Sequence, residues 1–95
     1  MSRLIFHEKK ILDDEYLIEM EIRQVKKEPP TPEGVKYSLV LIRRGQRILG
    51  YDNHERKGHH KHLFEKESPY KFTTVNRLIE EFEEEVKKIV ERGKK

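Results

Sequence analysis

Residues 50–62 read GYDNHERKGHHKH and collect, in one short stretch, a phenol (Tyr51), a carboxylate (Asp52), an amide (Asn53), the imidazoles of His54, His59, His60 and His62, and the cations Arg56, Lys57 and Lys61. These types suit cleavage of RNA without a metal. One group must take the proton from the 2′-hydroxyl and another must protonate the leaving 5′-oxygen. Imidazole can do either near neutral pH. A Lys or Arg stabilises charge building on the phosphate. A carboxylate can fix a histidine tautomer, and Tyr51 can stack on a base or supply a proton. The candidate catalytic residues are therefore His60, His62, Asp52, Tyr51 and His59. The candidate nucleic-acid contacts are Lys61, Arg56, Lys57, Arg47 and Arg43. This chemistry needs no cofactor and no metal.

The spacing leaves the geometry open. In an extended segment His60 and His62 point to one side, and His59 and Lys61 to the other. In a helical turn His59 and His62 share a face instead. A rival chemistry is metal binding, since His60 and His62 with Asp52 or His59 offer three N/O ligands; the surrounding Lys and Arg oppose a divalent cation. A different class of function is a non-catalytic nucleic-acid-binding module, with Tyr51 as a stacking platform. The bland alternative is a solvated, histidine-rich loop.

Charge singles out the same region. The net charge is +3 over 95 residues. Residues 36–62 hold seven Lys and Arg against Asp52 and Glu55, whereas residues 1–35 hold six against eight acids. A phosphate-bearing partner fits such a middle. Charged residues make up 41% of the chain and hydrophobic residues 34%, but the apolar ones fall in patterned blocks, which argues for a folded domain rather than disorder. Cysteine is absent, which excludes a disulfide framework and thiolate zinc sites. With no secretory segment and no apolar run long enough to span a bilayer, the expected compartment is the cytosol, with no membrane partner.

The elements that must position the segment are legible in outline. Leu4–Leu12 reads as a strand, and Asp13-Asp14-Glu15 supplies turn chemistry. Tyr16–Val25 alternates, with Tyr16, Ile18, Met20 and Ile22 on one face. Residues 26–34 hold three of the four prolines and form a loop. Tyr37–Arg44 is the most apolar strand, expected to be central and covered on both faces. Gly45-Gln46 reads as a hairpin turn, and Arg47–Asn53 as the returning strand. Residues 54–68 look irregular, and Pro69–Phe72 looks like a short extended piece. Thr73 or Thr74 caps a helix carrying Val75, Leu78, Ile79, Phe82, Val86, Ile89 and Val90 on one stripe. The expected fold is α+β: an antiparallel meander sheet of four main strands with one C-terminal helix packed on one face. His7 reads as structural or exposed, and Glu83-Glu84-Glu85 as a solvated helix face.

This order of elements, with a strand like KYSLVLI, a strand ending in YDN and then HHKH, resembles the TumE family. These are small toxins of bacterial and archaeal toxin–antitoxin pairs. The resemblance spans nearly the whole chain as one domain, 1–95, and its motif falls on Tyr51, Asp52, Asn53, His59, His60, Lys61 and His62. It implies a toxin that interferes with growth and is neutralised by a helix-turn-helix antitoxin. RNA is the expected substrate from the residue chemistry and from the habit of such toxins. A homodimer is a further expectation, because a small sheet leaves edges to cover.

Overall fold

A computed structural model of the chain describes residues 3–29, 31–53 and 58–93. Six strands and one helix follow in order: β1 (Arg3–Ile11), β2 (Tyr16–Gln24), β3 (Val35–Arg43), β4 (Gln46–Asp52), β5 (His60–Leu63), β6 (Lys66–Pro69) and α1 (Val75–Gly93). The strands form one antiparallel sheet in chain order, β1-β2-β3-β4-β5-β6. The expected α+β meander with a C-terminal helix is present, but the sheet has six strands rather than four. The two extra strands lie in the stretch expected to be irregular. Their sequences, HKHL and KESP, carry no apolar alternation. Backbone pairing to β4 holds β5 in place, and β6 pairs only with β5.

Local chemistry explains the connections. Asp13 Oδ1 accepts from the Glu15 and Tyr16 N–H groups at 2.8 and 3.1 Å, closing the β1–β2 turn. The proline-rich loop is tied at its base by Val25 N–H donating to the Gly34 carbonyl at 2.9 Å. The β3–β4 turn is centred on Arg44-Gly45, one residue earlier than the sequence suggests, because Arg43 already pairs with Gln46. Both central residues have positive φ, 49° and 80°, the requirement of a tight hairpin turn that follows strand twist. Glycine meets it without strain, and Arg44 is anchored by its guanidinium on Glu15. The Arg44 and Arg43 contacts hold the Glu15 carboxyl below its ordinary range.

The core lies on one side of the sheet. Tyr16, Ile18, Met20 and Ile22 of β2, Tyr37, Leu39 and Leu41 of β3, and Leu49 and Tyr51 of β4 pack against Leu78, Phe82 and Val86 of α1. The helix begins where Thr74 Oγ1 accepts from Arg77 N–H at 3.1 Å. Its buried residues are spaced four apart, which puts them on one stripe. Phe82→Ala would cost about 3–5 kcal/mol by the usual cost of truncating a buried aromatic. β3 is central, as expected, but it is covered on one face only. Tyr37, Leu39 and Leu41 are buried, while Ser38, Val40 and Ile42 on the other face are half-exposed. Among the described residues no helix or second sheet packs on that second face.

Candidate functional site

Strand register brings the candidate residues together in two groups. Asp52 pairs with His60, Tyr51 with Lys61, and Gly50 with His62. Alternation then sends Asp52, His60 and His62 to the uncovered face and Tyr51 and Lys61 to the helix side. The extended option in the sequence is the one adopted.

On the uncovered face Asp52 sits between two imidazoles. Its Oδ1 is 2.6 Å from His60 Nε2, and its Oδ2 is 3.7 Å from His62 Nε2. The two rings stand edge to face with centroids 4.9 Å apart. His60 is 7% exposed. Its Nδ1 lies 3.0 Å from the Gly58 carbonyl, so both ring nitrogens face oxygen acceptors and a ring that donates from both satisfies them. His62 is held more loosely: its other nitrogen is 3.8 Å from Glu67 Oε2. A shallow pocket of about 220 Å³, bordered by His59, His60, Glu67, Ser68 and Pro69, opens beside His60.

Arg47 reaches this face through a bulge. Leu41 pairs with Leu49 but Ile42 pairs with Arg47, so Ile48 is an extra residue in β4. Without it Arg47 would alternate with Leu49 toward the core. The Arg47 side chain lies over Gly50, with Cδ 3.2 Å from where a Cβ would stand. A Cβ at residue 50 would require the Arg47 side chain to give by a few tenths of an ångström, and the guanidinium stem comes to rest one strand from His62.

The helix side is a different environment. Tyr51 is buried and donates to Glu85 Oε2 at 2.6 Å. Lys61 Nζ sits 2.6 Å from Glu85 Oε1 and 5.5 Å from the Tyr51 ring centroid. Burial raises the Tyr51 hydroxyl's pKa, and the bond to Glu85 raises it further. Glu85 is thus no solvated helix residue: it ties β5 to α1. Its place one turn beyond Phe82, at the margin of the apolar stripe, was the signal in the sequence. Tyr70 makes the same kind of bond to Glu81 at 2.7 Å.

The remaining candidates are placed apart. His59 stacks on Phe72 at 4.8 Å and on Tyr37 at 5.6 Å. Its Nδ1 is 2.8 Å from the Tyr37 hydroxyl, and its Nε2 meets Glu33 from the proline-rich loop. Burial is the main reason that Tyr37's pKa is raised. Arg43 lies at the far end of β3 over the Tyr16 ring and pairs with Glu15 at 3.2 Å. His7 faces Glu19 at 3.3 Å in an exposed position. Arg56, Lys57 and His54 lie outside the described residues. Asn53 completes the motif as a clamp. Its Oδ1 accepts from Tyr37 N–H at 2.9 Å and its Nδ2 donates to the Val35 carbonyl at 2.8 Å. The side chain thereby continues the β3–β4 ladder and fixes the end of the strand that carries Asp52.

The Asp52–His60–His62 set can do two things chemically. It can move protons between a fixed and a looser imidazole, or it can ligate a cation, since one ligand atom from each residue lies within 4.8 Å of the others.

No curated protein and no solved structure matches the chain. A family model described as toxin TumE matches residues 1–90 of the 95, and the chain therefore belongs to the TumE toxin family.

Proposed function

We propose that this toxin cleaves RNA without a metal, using Asp52, His60 and His62 on the uncovered sheet face. Membership of the family implies an antitoxin partner; a helix-turn-helix character for that partner, RNA as target and a cytosolic setting are parts of this proposal. The observation that carries it is the Asp52 carboxylate placed between two imidazoles, 2.6 Å from one and 3.7 Å from the other. His62, the looser ring, takes the 2′-hydroxyl proton. The 2′-oxygen attacks phosphorus, the P–O5′ bond breaks, and His60 passes the proton that it shares with Asp52 to the leaving oxygen. The products are a 2′,3′-cyclic phosphate and a 5′-hydroxyl. Asp52 orients both rings. Arg47, beside His62, offsets charge on the phosphate. Tyr51, Lys61 and His59 act from behind the site, by holding β5 and the segment before it.

Incubating a labelled RNA with the purified chain and with His62→Ala tests this reading. Cleavage by the first, lost in the second while the fold persists, supports it. Equal cleavage by both refutes it.

A second reading is favoured by the ligand spacing alone. Two histidines and one carboxylate that offer atoms within 4.8 Å of one another resemble a three-ligand zinc site with an open position. Arg47 beside that set works against a divalent cation.

A further inference from the structure

The uncovered sheet face has a second feature beside the histidine site. Ile11 pairs with Leu17, and Leu17 with Ile42, so three apolar side chains line up across β1, β2 and β3. Val40 adjoins Ile42 on the same face. Ile11 is 77% exposed; Leu17, Val40 and Ile42 are half-buried by their neighbours in the sheet and take no part in the core. In a chain that is 41% charged, an apolar row three strands wide is a surface awaiting a partner.

The charges beside the row indicate the partner's chemistry. Glu19 and Glu21 are engaged by His7 and Arg23. Among the described residues Lys9, Lys36 and Arg47 on this face form no salt bridge, although Glu19 stands opposite Lys9 in the strand register. Cations outside any salt bridge beside an apolar row call for a segment that is apolar at its centre and acidic at its edge. A second copy would bring the same cations against themselves. One exposed aromatic, Phe64, borders a pocket with Arg47, but the row itself carries no Phe, Tyr or Trp on which RNA could stack a base. The row also ends at the site: Val40 pairs with Gly50, over which Arg47 lies, and Gly50 pairs with His62.

We propose that the antitoxin seats an apolar, acid-flanked segment on the Ile11–Leu17–Ile42–Val40 row and neutralises the toxin by lying over Arg47 and His62. The meaning of that coverage rests on the proposed RNA site, but the seat itself is read by binding. The probe is the protein encoded by the reading frame beside this gene, co-expressed with the chain and then titrated against it. Ile42→Glu and Ile11→Glu should each weaken the complex at least tenfold, as loss of a central anchor does, while Lys87→Glu on the helix side leaves it unchanged. Circular dichroism checks the fold; should Ile42→Glu fail to fold, the exposed Ile11→Glu decides. RNA cleavage by either variant alone should match the parent chain. The proposal is overturned if the neighbour protein does not bind the parent chain, or binds the glutamate variants as tightly. It is also overturned if light scattering shows the chain alone to be a dimer that Ile42→Glu dissociates, or if the variants lose RNA affinity rather than antitoxin affinity. Absence of RNA cleavage, with antitoxin binding still sensitive to these substitutions, would refute the site and leave the seat standing.

Discussion

The two faces of β5 use adjacent residues for opposite purposes. On the helix side Lys61 and Tyr51 converge on Glu85, with each polar group bonded and the Tyr51 ring in the core. On the uncovered side His60 and His62 share Asp52, and one of the two rings is left with contacts no closer than 3.7 Å. The first arrangement is fully satisfied and should act as a clasp. The second leaves His62 more loosely held, and it is this ring that the proposed function has take the 2′-hydroxyl proton. A motif compact in sequence therefore does not form one cluster: strand alternation splits YDN and HHKH between the helix side and the opposite face, where the proposed function places the chemistry.

Substitutions that separate activity from stability will sharpen or break this contrast. The largest effect belongs to His62→Ala: about 10²–10⁴-fold lower cleavage rate, the usual worth of one general acid or base, with little change in melting temperature. His60→Ala should lose a similar factor in rate and some stability as well, because His60 is buried and removing it leaves the Asp52 carboxylate without its close partner. Single-turnover rates and thermal melts on the same samples check both. A His62→Ala variant that is as active as the parent chain breaks the contrast at once.

The residues that hold the strands should answer the other way. Asn53→Ala leaves the Tyr37 N–H and the Val35 carbonyl without partners and should cost about 1–3 kcal/mol or more in urea titrations. Lys61→Ala should cost about 1–3 kcal/mol by removing a charged bond to Glu85, yet leave the rate per folded molecule within a few-fold. A rate loss of 10² or more at full folding would return Lys61 to the phosphate role that its sequence position suggests.

Smaller still is the effect of Tyr51→Phe, and it depends on pH. Burial and then the Glu85 bond raise the Tyr51 pKa above its ordinary value of about 10. The neutral hydroxyl is thus favoured in the folded state. Its contribution is intact below about pH 10 and is lost as pH rises beyond it. Melting curves taken on the alkaline side should fall less steeply for Tyr51→Phe than for the parent chain. His7→Ala should change neither rate nor stability measurably, since the His7–Glu19 contact is exposed.

Much of this was legible before any coordinates. The alternation of Tyr16, Ile18, Met20 and Ile22 named the buried face of β2, and Thr73 or Thr74 was expected to open the helix, Thr74 being the one that does. Asp52, His60 and His62 could be named from residue types, but only together with Tyr51 and His59. What could not be read was their context. β5 and β6 have no apolar period, so the pairing of β5 with β4 and of β6 with β5 was needed to show them as strands. The single residue Ile48 turns Arg47 outward, and nothing in RILGYD announces a bulge. His59 looks chemically equivalent to His60 in sequence, yet Phe72, Tyr37 and Glu33, all distant along the chain, take it into a stacked and bonded position.

The most direct test of the central claim is the identity of the product ends when purified toxin cleaves RNA in EDTA across a range of pH. Metal-independent acid–base catalysis predicts cleavage that persists in chelator, 2′,3′-cyclic phosphate and 5′-hydroxyl ends, and a bell-shaped dependence on pH. Cleavage that is abolished by EDTA and restored by zinc or manganese would contradict it, and would assign Asp52, His60 and His62 to a metal instead.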